Sequence, residues 1–339
     1  MKSISGIFVL SLGLFLVGCD NSASRSVEPL TLHGNTMGTT YNIKVFTSGK
    51  EIEAGALQQQ VDDTLIAVNA SMSPWVENSE INQFNGLEAN KFMAISDDFR
   101  AVVAESIRLG QSTKTLDITM GPLIDLWGFG PDKRPTKKPS QEQLDEMRTR
   151  IGVEKLVLNE QGLTKTLHGL ELSFSATAKG YGIDKVAMLL EQQGLSNYMV
   201  EIGGELRISG TKADNQPWRI AIEQPDAPMG QRQIHKIIEP GNNGLATSGD
   251  YRIFYEMDGE TFTHLIDPAT GMPVKHELVS VTVLHPSAMT ADGLATALTV
   301  MGTERAKAYA EKHNLAVYLI SKSDTGLVTY ASEQFKPYL

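Results

Sequence analysis

The sequence predicts an α+β fold, a mixture of helices with largely antiparallel strands, over residues 31–339. Strand-like segments follow one another at hairpin spacing instead of alternating regularly with helices. No glycine-rich dinucleotide fingerprint follows a strand, as a doubly wound sheet that binds nucleotides would carry. There is also no repeat period and no low-complexity tract.

The elements follow in order. From Thr31 the texture is that of a strand, and Thr40 to Phe46 alternates apolar with polar residues. Leu57, Val61, Leu65 and Val68 recur at helical spacing within residues 55–70. Residues 99–109 form a second amphipathic helix, with Asp97 as its expected cap. The Pro- and Lys-rich stretch 131–140 is a loop, after which Ser140-Gln141-Glu142-Gln143 opens a helix with a capping-box pattern. Residues 182–193 make a helix ended by Gly194. Strands are expected at 198–202, 206–209, 218–223, 244–247, 251–257 and 278–284. Helices at 292–301 and 304–313 and a last strand at 315–320 complete the chain.

The first residues have a different character. A basic Met1-Lys2 start precedes an almost wholly apolar run from Ile4 to Val17, then Leu16-Val17-Gly18-Cys19. That order is a secretory signal over residues 1–18. The small residue before Cys19 resembles a bacterial lipobox, in which the cysteine is lipidated and becomes the new N-terminus. Cys19 is the single cysteine, so no disulfide is expected. Asp20 resembles the signal that keeps a lipoprotein at the inner membrane of a Gram-negative cell. Residues 19–30 read as a flexible tether, and residues 31–339 as the folded domain. A net charge of −10 argues against a nucleic-acid partner.

Chemistry is concentrated near the C-terminus. Thr263-His264-Leu265-Ile266-Asp267-Pro268-Ala269-Thr270-Gly271 puts a histidine beside an Asp-Pro turn that a Thr-Gly can close. Asp292 and Thr296 stand four positions apart, so on a helix both face the same way. Oxygen ligands of this kind suit a hard cation and phosphate chemistry. The seven histidines make no zinc pattern. Blander readings stand beside these: His264 as a structural histidine, Asp292 as a helix cap, and Trp75 or the Trp127-Gly128-Phe129 patch as core. In the functional reading, Asp117 faces a ligand with aromatics behind it. The glycine-rich pieces Met37-Gly38-Thr39, Lys179-Gly180-Tyr181-Gly182 and Ile202-Gly203-Gly204-Glu205 are singly either turns or places for close backbone approach.

Taken together and in order, these pieces resemble the ApbE family of flavin transferases. The series is Met37-Gly38-Thr39, Asp117-Ile118-Thr119 through Gly121-Pro122, Ala178-Lys179-Gly180-Tyr181 with Asp184, Ile202-Gly203-Gly204-Glu205, Thr247-Ser248-Gly249, His264-Leu265-Ile266-Asp267-Pro268, and Asp292 with Thr296. The resemblance implies an enzyme that cleaves FAD with Mg²⁺, joins the FMN half to a Ser or Thr of an acceptor protein and releases AMP. Acceptors in such a family include membrane redox subunits. It further implies that Asp292, Thr296 and the Ala176 carbonyl hold the metal. Met37, Trp75, Thr115, Leu116, Asp117, Ser173, Lys179 and Ile266 would line the FAD site. Many relatives have aspartate where Ser173 stands, and serine brings no charge. His264 is the candidate base, with Asp292 mainly a ligand. Two rivals remain at this stage: an FAD pyrophosphatase, and a non-catalytic periplasmic flavin-binding lipoprotein.

Overall fold

The computed structural model describes residues 28–131, 134–227, 233–249 and 253–339. The signal segment, Cys19 and nearly all of the expected tether lie outside the described residues. So does the start of the strand expected at 251–257.

A hairpin opens the fold. Strands β1 (Leu30–Thr36) and β2 (Thr39–Phe46) pair antiparallel through a two-residue turn. Both turn residues have positive φ, 50° at Met37 and 72° at Gly38, the combination that matches the twist of the flanking strands. Thus Leu30, counted with the tether, already belongs to the sheet. Helix α1 (Ala54–Met72) buries Leu57, Val61, Leu65 and Val68 as the spacing predicts. A short α2 (Glu80–Asn85) and β3 (Phe92–Met93) follow. Ser96, not Asp97, caps α3 (Asp97–Thr113), accepting the Phe99 N–H at 3.1 Å. Asp97 instead opens the first turn, where its charge favours the helix dipole.

Helix α4 (Gly121–Leu126) has its proline in the first turn, and α5 (Gln141–Thr149) carries the expected capping box between Ser140 and Gln143. Strands β4 (Leu156–Leu158) and β5 (Leu163–Lys165) join β3 in a small sheet. Helix α6 (Ala178–Gln192) begins four residues before the expected start. Lys179 and Gly180 therefore lie in a helical first turn and not in a glycine-rich loop.

Strands β6 (Asn197–Ile202), β7 (Glu205–Ser209), β8 (Ile220–Glu223), β9 (Ile234–Ile238), β10 (Gly244–Gly249), β11 (Phe254–Met257), β12 (Glu260–Thr263) and β13 (Leu278–His285) come next. Helices α7 (Ala288–Met301) and α8 (Thr303–Lys312) precede β14 (Ala316–Ser323) and β15 (Gly326–Ala331). Residues 315–320 are thus not the last strand. The alternation of β15 is masked because it is an edge strand with few buried side chains.

The principal sheet has eight strands in the order β1-β2-β6-β7-β10-β13-β14-β15, every neighbour antiparallel. The α+β expectation holds. Along β14, Val317 and Leu319 join the core beneath α7 and α8, while Tyr318 and Ile320 face a second core with Trp218, Ile222 and Phe335. The sheet is therefore covered on both faces, and the helix-covered side carries the candidate site. Among the described residues no helix is long and apolar enough to cross a membrane.

Candidate functional site

Two cavities share part of their lining, and the smaller reaches α7 through Thr296 and Val300. A small recess of about 80 Å³ is lined by Thr115, Leu116, Asp117, Ser173, Ala176, His264, Ile266 and Thr296, among others. A larger groove of about 950 Å³ is lined by Met37, Trp75, Ser173 and Lys179, with Asn69, Asn85 and Phe129 beside them. Ile124, Ser173 and Ser175 border both, so the recess is an extension of the groove. Chain segments far apart in sequence thus bring all the expected flavin-site residues onto one continuous surface. Asp292 lines neither cavity; it lies buried one turn from Thr296 on α7.

Each wall is held by specific contacts. The segment carrying Ser173 and Ala176 is fixed from two sides. Ser173 N–H donates to the Ile118 carbonyl at 2.8 Å. The Asn85 side chain takes both backbone groups of Leu172, accepting its N–H at 2.7 Å and donating to its carbonyl at 3.0 Å. Lys165, wholly buried, donates to the carbonyls of Asn85 at 2.6 Å and Leu170 at 2.9 Å. Sequence reasoning missed Asn85 and Lys165, because nothing local marks an amide or ammonium that braces a distant strand. On the opposite wall, Trp127 donates from Nε1 to the Gly271 carbonyl at 2.8 Å and stacks on Phe262. Trp127 is core, whereas Phe129 lines the groove.

The Asp267 turn closes as the sequence predicts. Its carboxylate accepts the Ala269 N–H at 2.9 Å, its carbonyl accepts the Gly271 N–H at 2.8 Å, and Gly271 takes φ +71°. Asp267 is therefore a turn former. His264 sits just after β12, not within a strand. Its Nδ1 lies 3.1 Å from the Ile253 carbonyl. A carbonyl only accepts, so Nδ1 carries the proton and Nε2 is the basic nitrogen. Burial, with the Lys179 charge as a smaller cause, pushes the His264 pKa below its ordinary value, so the ring is held neutral.

Trp75 is 68% exposed at the groove rim, so it is no core tryptophan. Thr115 spends its hydroxyl on the Ala297 carbonyl at 2.8 Å, which ties this wall to α7. Asp117 turns Oδ1 inward onto Thr119, accepting both the N–H at 2.8 Å and the hydroxyl at 2.5 Å. The glycine pair Gly203-Gly204 makes the β6–β7 hairpin turn, with positive φ at both positions.

Asp292 is not the cap of α7; that is Ser287, and Asp292 lies in the second turn. One carboxylate oxygen accepts the Gly180 N–H at 3.0 Å. Burial first, then the nearby Glu205 charge, raises its pKa to about 7 against the opposing pull of Lys179. A buried carboxylate so poorly compensated is what a cation would relieve. Among the described residues no group of three or more His, Cys, Asp or Glu gathers to hold a metal. A cation here would rest on one carboxylate, the Thr296 hydroxyl and the Ala176 carbonyl, leaving positions for phosphate oxygens. That all-oxygen, incomplete set fits Mg²⁺.

The model of the ApbE family matches residues 37–319. This chain belongs to the ApbE family. It is 44% identical to a Haemophilus influenzae protein named FAD:protein FMN transferase, over 99% of this chain and 97% of that protein. A Vibrio cholerae protein of the same name is 47% identical, with 96% of each chain covered. Its fold is similar to the solved structure of flavin transferase ApbE from Vibrio cholerae, with a TM-score of 0.86 at 46% identity, covering 92% of this chain and 99% of that one. Ser173 stands on the boundary of the two cavities, its hydroxyl 3.3 Å from that of Ser175. Two neutral hydroxyls thus stand side by side at this boundary.

Proposed function

We propose that this protein transfers the FMN moiety of FAD to a Ser or Thr hydroxyl of an acceptor protein and releases AMP, with Mg²⁺ at Asp292, Thr296 and the Ala176 carbonyl. The observation that carries the reading is the continuity of the groove, roomy at about 950 Å³, with a recess that His264 and Thr296 both line. Kinship with proteins named for this transfer supports it along nearly the whole chain.

The groove binds FAD with Trp75 and Met37 at its rim, and Lys179 adds positive charge toward the pyrophosphate. His264 Nε2 takes the proton of the acceptor hydroxyl as its oxygen attacks the FMN phosphorus. The new O–P bond forms as the bridging P–O bond breaks, and AMP departs with the oxygen. Bound Mg²⁺ would supply charge neutralisation to the breaking pyrophosphate. The walls braced by Asn85, Lys165 and Trp127 keep these groups in place.

Incubation with FAD, Mg²⁺ and acceptor proteins, followed by denaturing gels read for covalent flavin fluorescence and by assay of AMP, tests the proposal. A fluorescent adduct together with AMP is expected. AMP without adduct means a pyrophosphatase, and neither product means a flavin-binding protein. Membrane redox subunits are the acceptors to try first. The lipobox supports anchoring at Cys19 on the periplasmic face of an inner membrane; Cys19→Ser should give an unlipidated, unanchored protein with the same activity. Wild-type protein that fractionates as soluble would refute the anchor.

A further inference from the structure

Helices α6 and α7 hold each other by their N-termini. Asp292 of α7 accepts the Gly180 N–H in the first turn of α6 at 3.0 Å. In the opposite sense, Asp184 of α6 accepts the N–H groups of Ala288 at 3.0 Å and Met289 at 3.1 Å in the first turn of α7. It also accepts the Ser287 hydroxyl at 2.7 Å. Arg207, reaching from β7, meets the Asp184 charge at 3.0 Å and extends its other arm to Glu191 at 2.8 Å. Both aspartates are buried.

Asp184 is more than a helix cap. Ser287 already caps α7, accepting the Thr290 N–H at 3.2 Å. Asp184 comes from another helix and binds three groups at the start of α7 at once, so it fixes where α7 stands relative to α6. The helices approach backbone to backbone at this point: a methyl group on Gly180 would lie 2.4 Å from the Ala288 carbonyl oxygen.

We propose that Asp184 is a positioning residue for the cation site, setting the height and rotation of α7 so that Asp292 and Thr296 meet the Ala176 carbonyl just before α6. This rests on the Mg²⁺ reading above. Mg²⁺ demands near-octahedral oxygen geometry, and its ligands would stand here on α7 and on the segment that leads into α6. A small slip of one helix against the other spoils the set while leaving the groove that binds FAD.

The test measures Mn²⁺ binding by electron paramagnetic resonance with FAD present, metal-free FAD binding by flavin fluorescence, and melting temperature. Asp184→Asn keeps an acceptor but loses the charge and half of the clasp. It should raise the Mn²⁺ Kd roughly 10-fold or more, the usual effect of losing an outer-shell partner, with metal-free FAD affinity nearly unchanged. Leu190→Ala, in the same helix but away from the clasp, serves as a destabilised control and should leave the Mn²⁺ Kd unmoved. If Asp184→Asn does not fold, Ser287→Ala removes one clasp contact together with the cap of α7 and should give a smaller shift of the same sign. Equal Kd shifts in the control, or none in the clasp variants, overturn the proposal while leaving the metal reading intact. Failure of the wild type to bind Mn²⁺ with FAD overturns both.

Discussion

Lys179 Nζ lies 2.5 Å from Glu205 Oε2, so the ammonium at the groove is tied to a nearly buried carboxylate of β7. Glu205 in turn is one of the charges that raise Asp292, and Lys179 one that lowers it. The ammonium at the groove and the buried Asp292 carboxylate are therefore linked through Glu205.

Separating the two roles of Lys179 follows from this link. Lys179→Met removes the cation and leaves Glu205 buried without its partner, so both FAD affinity and melting temperature should fall. The affinity loss should be about 10-fold or more, the scale of a charged hydrogen bond. Adding Glu205→Gln should recover most of the melting temperature and none of the affinity. Equilibrium dialysis with FAD decides; recovery of binding in the double variant would mean that Lys179 acts only through Glu205.

Asp292 should make the metal-free protein pH-sensitive. Its folded pKa, about 7, lies above the unfolded value. The folded state therefore holds a proton that the unfolded state releases, and stability is lost as pH rises from about 4 to about 7. Asp292→Asn, whose amide oxygen still accepts from Gly180, should flatten that decline and melt higher than wild type at pH 8 without metal. It should also abolish FAD cleavage. Parallel melting curves across this range for both proteins would refute the raised pKa.

The main helices were legible where their burial is periodic, as Leu57, Val61, Leu65 and Val68 declare α1, whereas β13, buried on both faces over 278–284, was legible as a short Val-rich run. Short strands such as β3, β4 and β12 were not, since two to four residues show no period. Helix starts were misplaced where side chains from elsewhere satisfy the first turn, as Asp292 does at Gly180 and Asp184 at Ala288. Residues that line the two cavities were legible through ordered motifs, but the braces were not. Lys165 and Asn85 act on the backbone of a segment that only the fold brings near.

Trp75 offers a test that separates binding from folding. With 68% of its surface exposed, replacing it with alanine removes almost no core contact. Trp75→Ala should leave the melting temperature within about a degree, since exposed substitutions cost within about 0.5 kcal/mol. FAD affinity should drop several-fold through the lost aromatic face, and quenching of tryptophan fluorescence by FAD should weaken. An unchanged FAD titration would place the flavin away from this rim.

His264, as the proposed base, should set the acid limb of the reaction. Its Nδ1 proton is committed to the Ile253 carbonyl, and burial holds its pKa below the ordinary 6.5. The sign follows: transfer should be constant above that value and fall only as pH drops through the lowered pKa, when Nε2 takes a proton and no longer serves as base. Because the Lys179 charge contributes to the lowering, Lys179→Met should move the limb upward, toward the unperturbed value. His264→Asn should slow flavin transfer by roughly 10²–10⁴-fold with FAD affinity little changed, and its remaining rate should lack the limb. The measurement is kcat/KM for adduct formation against pH in all three proteins. A limb that survives in His264→Asn would assign the titrating base to another group, with Asp292 the first to examine.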